Sequence, residues 1–191
     1  GVILFAENLD TKEQTQKLTA DLQDAADLGL LIGIDEEGGL VSRLKKSNIE
    51  HEIFPDAAAM EDASYAGKTI GTELAELGVN VDFAPVADVN TNPDNPVIGT
   101  RAFSSDPQAA ATKVAEFIRA IEETGVSACA KHFPGHGDTN VDSHLGLPMI
   151  THTLPELEKV ELVPFKSAIK NGVDAIMSAH IMFPAYDSVP G

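Results

Sequence analysis

Short apolar runs alternate with stretches of helical periodicity along the whole chain, and nothing else in the sequence limits the fold as much. Apolar runs occupy residues 1–5, 30–34, 79–86, 126–133 and 173–179. Between them lie four stretches that read as helices, over 11–28, 60–77, 107–124 and 164–170. The first carries Leu18, Leu22 and Ala25 at helical spacing behind an N-cap at Asp10 or Thr11. Gly78, Gly125 and Gly172 stand where the later three should stop, and Pro164 suits a first turn. Strands alternating with helices predict a parallel sheet covered by helices. Two α/β architectures fit: a five-stranded doubly wound sheet, or part of a (β/α)8 TIM-type barrel.

The polar residues separate these two. Asp35, Asp88, Lys131, His132 and His180 fall at or just past the C-terminal ends of successive runs. A barrel gathers such residues from many strands around one mouth, whereas an open sheet concentrates its site at one switch point. The distribution favours the barrel. Five βα units of an expected eight then imply that residues 1–191 are a single incomplete catalytic barrel domain, truncated at both ends. The opening at Gly1 rather than methionine and the stop after Pro190 agree with cut ends. A leader, if one exists, would lie upstream, so the compartment stays open: cytoplasmic or exported.

Composition narrows the partners. Apolar residues make up 43% of the chain, enough for a packed core. Thirty acidic residues against 13 basic give a net charge of −17, which argues against nucleic acid and anionic membranes. No apolar run approaches the length of a membrane span. Cys129 is the sole cysteine, so no internal disulfide forms.

The densest polar segment runs from Lys131 to His144, with three histidines, two aspartates and a lysine in fourteen residues. Any one histidine is by default structural, but this cluster follows a strand's C-terminal end, where α/β proteins place their sites. Zinc is disfavoured: His132 and His136 are four apart, but Pro134-Gly135 between them prevents a shared helical face. Phosphate cradling by the glycines lacks a following Gly-Lys-Ser/Thr. Acid–base work fits better. Asp142 and His144 are two apart, so in an extended loop they share a face. The carboxylate would orient the imidazole and support its protonated form, as a proton donor requires. Gly135 and Gly137 permit a tight or mobile backbone there.

Two further constellations stand out. Asp35-Glu36-Glu37-Gly38-Gly39, followed by Arg43, ends a buried run. Asp35 is its first polar residue and points where a ligand would be, while Glu36 and Glu37 read as a solvated turn. Asp88 to Phe103 is a long loop with Asn90, Asn92, Asn95 and Arg101. Loops of this length are usually functional, and a carboxylate with guanidinium donors is a common grip on sugar hydroxyls.

These segments together resemble a known family. Ile34-Asp35-Glu36-Glu37-Gly38-Gly39 with Arg43, Asp82-Phe83-Ala84-Pro85-Val86-Ala87-Asp88-Val89, Gly99-Thr100-Arg101-Ala102-Phe103, and Lys131-His132-Phe133-Pro134-Gly135-His136-Gly137 with Asp142-Ser143-His144 are similar to the N-terminal barrel domain of family 3 glycoside hydrolases. The Asp-Ser-His ending resembles the β-N-acetylhexosaminidase (β-N-acetylglucosaminidase) branch, whose members act in bacterial peptidoglycan recycling. The resemblance covers nearly the whole chain, with four motifs in order.

It implies removal of terminal β-linked N-acetylglucosamine by retaining, two-step hydrolysis. Asp35 would bind hydroxyls of the non-reducing sugar, helped by Arg43 and Arg101, with Lys131 and His132 in the same subsite. His144 would be the general acid/base and Asp142 its partner. The nucleophile is expected on a later strand beyond Gly191, so the fragment alone should be inactive. No metal or organic cofactor is implied, and the expected partner is a carbohydrate, an N-acetylglucosaminide or muropeptide-like molecule. The alternatives are a family 3 β-glucosidase, which the Asp142–His144 pair argues against, and a catalytically incomplete carbohydrate-binding module.

Overall fold

A computed structural model of the chain describes residues 1–139 and 148–187. The chain runs through β1 (Val2–Leu4), α1 (Lys12–Asp24), β2 (Ile32–Ile34), β3 (Glu36–Gly38), β4 (Val41–Ser42), α2 (Ala63–Glu76), β5 (Val81–Asp82), α3 (Pro107–Glu122), β6 (Ser127–Phe133), α4 (Leu154–Lys159), α5 (Leu162–Lys170) and β7 (Ala175–Ser178). Five strands form one sheet in the order β1-β2-β5-β6-β7, and every pairing in it is parallel. Among the described residues β1 and β7 each pair on one side only. All five expected strands are present, with helices between them.

Local chemistry explains the helix boundaries. Thr11, Asp62 and Asp106 each accept a hydrogen bond from a first-turn backbone N–H, the donors being Gln14, Tyr65 and Ala109. Pro107 adds a preset φ at the first position of α3. Gly78 and Gly125, with φ of 76° and 89°, take the left-handed turn that stops α2 and α3.

Alternation along the strands divides the sheet into two faces. Leu4, Ile32, Ile34, Ala128 and Ala130 point to the helices and join Ile70, Leu74, Val114, Phe117, Ile118, Ile121 and Phe165 in the main core. Each such large side chain contributes about 1.5–3 kcal/mol by leaving water. The opposite face carries Gly33, Val81, Cys129, Lys131 and Met177, the side a barrel encloses. Gly33 is needed there, because a Cβ would stand 2.7 Å from the Phe83 ring.

Three elements differ from the sequence reading, the first being α4, a short helix where the sequence reads as a loop. Glu36-Glu37-Gly38 is not a turn but the first strand of an antiparallel hairpin with β4. The expected strand over 79–86 is only two residues long, and Val86 keeps one isolated bridge to Lys131 beyond it.

Candidate active site

The strand ends build an open cleft of about 340 Å³, lined by Asp35, Glu37, Arg43, Arg101, Lys131, His132, His136 and the β7 end, including Met177 and His180. Asp35 follows β2, Glu37 lies in the hairpin, and Lys131 and His132 lie in β6. The five sugar-binding candidates of the sequence, Asp35, Arg43, Arg101, Lys131 and His132, therefore share one cavity.

At its centre is Lys131, whose side chain is 2% exposed. Its Nζ lies 2.7 Å from Asp35 Oδ1 and 2.7 Å from Glu37 Oε1. Arg43 donates from Nη2 to Asp35 Oδ2 at 3.1 Å. Arg101 grips Glu37 with two bonds, Nε to Oε2 at 2.9 Å and Nη2 to Oε1 at 2.7 Å. The result is a chain of alternating charge, Arg43–Asp35–Lys131–Glu37–Arg101, with three cations for two carboxylates. Bidentate and charge-assisted bonds of this kind are the strong, directional ones.

Burial alone would raise both carboxyls and lower the ammonium. The cations reverse this for Asp35, where Lys131 and then Arg43 hold the carboxyl below its ordinary value, and for Glu37, where Arg101 and Lys131 do so. Glu37 and Asp35 in turn hold Lys131 above its ordinary value. All of these groups are ionised at neutral pH. The two carboxylates are not equivalent, however. The Asp35 side chain is 20% exposed and that of Glu37 only 6%. Asp35 opens onto the cleft; Glu37 is the buried counter-ion that aims Lys131 and Arg101.

This corrects one expectation. Glu36 and Glu37 are buried, not solvated. Arg101 pairs with Glu37, beside the Lys131–Asp35 pair. Glu36 holds the hairpin instead, its Oε2 accepting from the backbone N–H groups of Arg43 and Leu44 at 2.8 and 3.0 Å.

Asp88 organises the other wall. It is fully buried and its oxygens accept from His132 Nδ1 at 2.7 Å and from the His136 backbone N–H at 2.7 Å. Burial would raise its pKa, but the His132 ring and these donors pull it below the ordinary value. With Nδ1 committed to Asp88, His132 is fixed in orientation where it lines the cleft. Two asparagines of the long loop are structural: Asn92 donates to the Thr139 carbonyl at 3.3 Å and Asn95 to the His136 carbonyl at 2.8 Å.

Gly135 and Gly137 serve close packing rather than mobility. A Cβ on Gly137 would stand 1.8 Å from the Val89 carbonyl oxygen, and one on Gly135, at φ 140°, would stand 2.8 Å from Glu161 Cβ. His144 and Asp142 lie outside the described residues. The described residues contain no group of three His, Cys, Asp or Glu placed to hold a metal ion. Cys129 is buried, and burial pushes its thiol up to about 11, so it supplies no thiolate. No helix among the described residues is long and apolar enough to cross a membrane.

A parallel α/β sheet with a charged, hydrogen-bonding cleft at its C-terminal strand ends has the layout of an α/β enzyme built to hold a polar ligand. Residues 1–191 match the Glycosyl hydrolase family 3 N terminal domain over their whole length, and the chain belongs to that family. It is 42% identical over 202 residues to Beta-hexosaminidase A of Pseudoalteromonas piscicida, covering 98% of this chain and 34% of that protein. It is 36% identical over 200 residues to Beta-hexosaminidase of Neisseria meningitidis serogroup C, covering 100% of this chain and 55% of that one.

Among solved structures it is similar to a glycoside hydrolase family 3 beta-N-acetylglucosaminidase from Paenibacillus sp. str. FPU-7, with TM-score 0.93 and 43% identity over 100% of this chain and 38% of that chain. It is also similar to NagZ from Neisseria gonorrhoeae in complex with N-trifluoroacetyl-D-glucosamine, with TM-score 0.92 and 33% identity over 100% of this chain and 59% of that one. The chain thus spans between about a third and three fifths of the proteins it matches.

Proposed function

We propose that residues 1–191 form one incomplete barrel domain that supplies most of the sugar-binding site of a retaining β-N-acetylglucosaminidase. The observation that carries this is the Arg43–Asp35–Lys131–Glu37–Arg101 lattice, which leaves one fixed, ionised carboxylate facing an open cleft among cationic donors. Such a set matches vicinal hydroxyls: Asp35 accepts from them, while Lys131, Arg43 and His132 donate to or orient the ring. The N-trifluoroacetyl-glucosamine bound by the similar gonococcal NagZ supports an N-acetylglucosamine-type ligand for the whole protein. Peptidoglycan-derived N-acetylglucosaminides are the finer substrate class we assign.

Asp35 is tied to two cations and held below its ordinary pKa, which makes it a ligand anchor and a poor nucleophile. The nucleophile is an aspartate outside these residues, and it attacks the anomeric carbon. His144, supported by Asp142, protonates the leaving oxygen, then acts as base toward the water that releases the sugar. No step calls for a metal or an organic cofactor.

The test compares leaving groups in the whole protein. General acid catalysis is worth about 10²–10⁴-fold, and a nitrophenolate leaving group needs little of it. His144→Ala should slow glycosylation by a natural disaccharide more than by a nitrophenyl glycoside, by a ratio approaching that range in pre-steady-state measurements. Equal slowing of both, or of neither, removes His144 from the role.

A further inference from the structure

β5 ends in a carboxyl that the charge lattice of the cleft does not use. Asp82 is 0% exposed and stands opposite Ile34 in the register of β2 with β5. The N–H of Phe83, next in the chain, donates to the Ile34 carbonyl at 2.7 Å. Beyond that bond a side chain takes over from the backbone: Asp82 Oδ1 accepts from the Glu36 N–H at 2.9 Å. Asp82 Oδ2 has no partner among the described residues.

Such a group is costly to keep. A buried polar atom without a partner retains its full desolvation penalty. Lys131, the nearby cation, is spent on Asp35 and Glu37. Burial pushes the Asp82 carboxyl well above its ordinary pKa; the Glu36 N–H and the Lys131 charge oppose that shift, and the Glu36 and Asp35 carboxyls add to it. The environment thus favours the acid form, whose shape an asparagine copies.

What the carboxyl supplies is one bond at one place. The Glu36 N–H belongs to the peptide that joins Asp35 to Glu36, where the chain leaves β2 for the hairpin. The Asp35 carboxylate is tied to Lys131 and Arg43, both long side chains with many rotatable bonds. The peptide after Asp35 is tied to a short side chain rooted in the sheet.

We propose that Asp82 is a positioning residue: by holding the Glu36 N–H to the end of β5, it fixes the backbone that presents Asp35 to the cleft. This rests on the sugar-anchoring role proposed above for Asp35. Asp82 is fully buried and acts only through Asp35. Both the disaccharide and the nitrophenyl glycoside carry the anchored sugar, so a misplaced anchor should cost them alike, whereas a lost proton donor should not.

The experiment measures kcat/KM of the whole protein with both substrates. Asp82→Ala removes the acceptor. Displacing a positioned group by about 1 Å costs on the order of 10²-fold, so efficiency should fall by about 10- to 100-fold on both substrates. Asp82→Asn keeps an oxygen for the Glu36 N–H and should recover most of that loss. In an Asp35→Ala background no anchor is left to misplace, so adding Asp82→Ala should cost less than about threefold. Should Asp82→Ala fail to fold, Asp82→Val, which fills the space but offers no acceptor, carries the same comparisons. Equal losses in the alanine and asparagine variants, wild-type efficiency in both, a loss confined to the disaccharide, or an undiminished loss in the Asp35→Ala background would each overturn the proposal. If Asp35→Ala lowers kcat/KM and Asp82→Ala does not, positioning by Asp82 fails alone; if Asp35→Ala changes nothing, the anchor reading fails first and takes this proposal with it.

Discussion

The two ends of the sheet differ in kind. At the C-terminal strand ends the inward side is a charged cleft of about 340 Å³ in which the central ammonium and both carboxylates are hydrogen-bonded. At the N-terminal ends the same side is a larger hollow of about 450 Å³, lined by Val2, Ile3, Leu31, Val81, Phe83 and Ala175. The larger cavity is the apolar one. Its lining is mostly apolar, with Ser127 and Asp174 at its edge but no ion-paired lattice like the one around Lys131, and its walls are the side chains that fill a barrel's interior. Size alone would direct attention to the wrong end. Fixed charge, held ionised against the cost of burial, marks the end where a candidate site lies.

The largest effect should come from removing the ion on which the cleft depends. Lys131→Ala leaves Asp35 and Glu37 without their shared cation, and breaking a buried pair costs about 3–5 kcal/mol. Denaturant unfolding of the whole protein measures it; a loss below about 1 kcal/mol would mean that the cleft behaves as a solvated rim.

A smaller and more specific effect is expected from Asp35→Ala. It removes a charged acceptor facing the ligand, worth about 1.5–3 kcal/mol in kcat/KM for N-acetylglucosaminides. Unchanged efficiency would leave Asp35 as a counter-ion only. The smallest belongs to the hollow. Ile3 is 50% exposed in residues 1–191. If later strands cover it in the whole protein, Ile3→Val should lower stability by about 0.5–1.5 kcal/mol with kcat and KM unchanged. A change in kcat/KM from this end would erase the contrast between the two cavities.

The alternation of apolar runs made the strand and helix order legible, because burial on a parallel sheet demands it. The strand lengths were not legible. The run over 79–86 is apolar but for Asn80 and Asp82, yet only Val81–Asp82 pairs as a regular strand; beyond it the backbone follows β6 out of register, the Ala84 and Pro85 carbonyls accepting from the Cys129 and Lys131 N–H groups. In the site, the five sugar-binding candidates were readable as the first polar residues after buried runs or as the loop arginines beside them. Glu37 was not. Two adjacent carboxylates before two glycines look like a solvated turn, and the partner that buries Glu37, Arg101, is 64 residues away. Pairing across such distances is set by where strands lie in space.

The spatial order of the five main strands repeats their order in the chain. During synthesis each strand therefore emerges to find its partner already made and its docking edge exposed, so the sheet can grow outward from β1 without rearrangement of earlier pairings. The cleft has a different schedule. Asp35 and Glu37 are translated about a hundred residues before Lys131, as the separation of 96 between Asp35 and Lys131 shows. Until β6 arrives, the two carboxylates wait beside solvent, and the charge lattice closes as one of the later events of assembly.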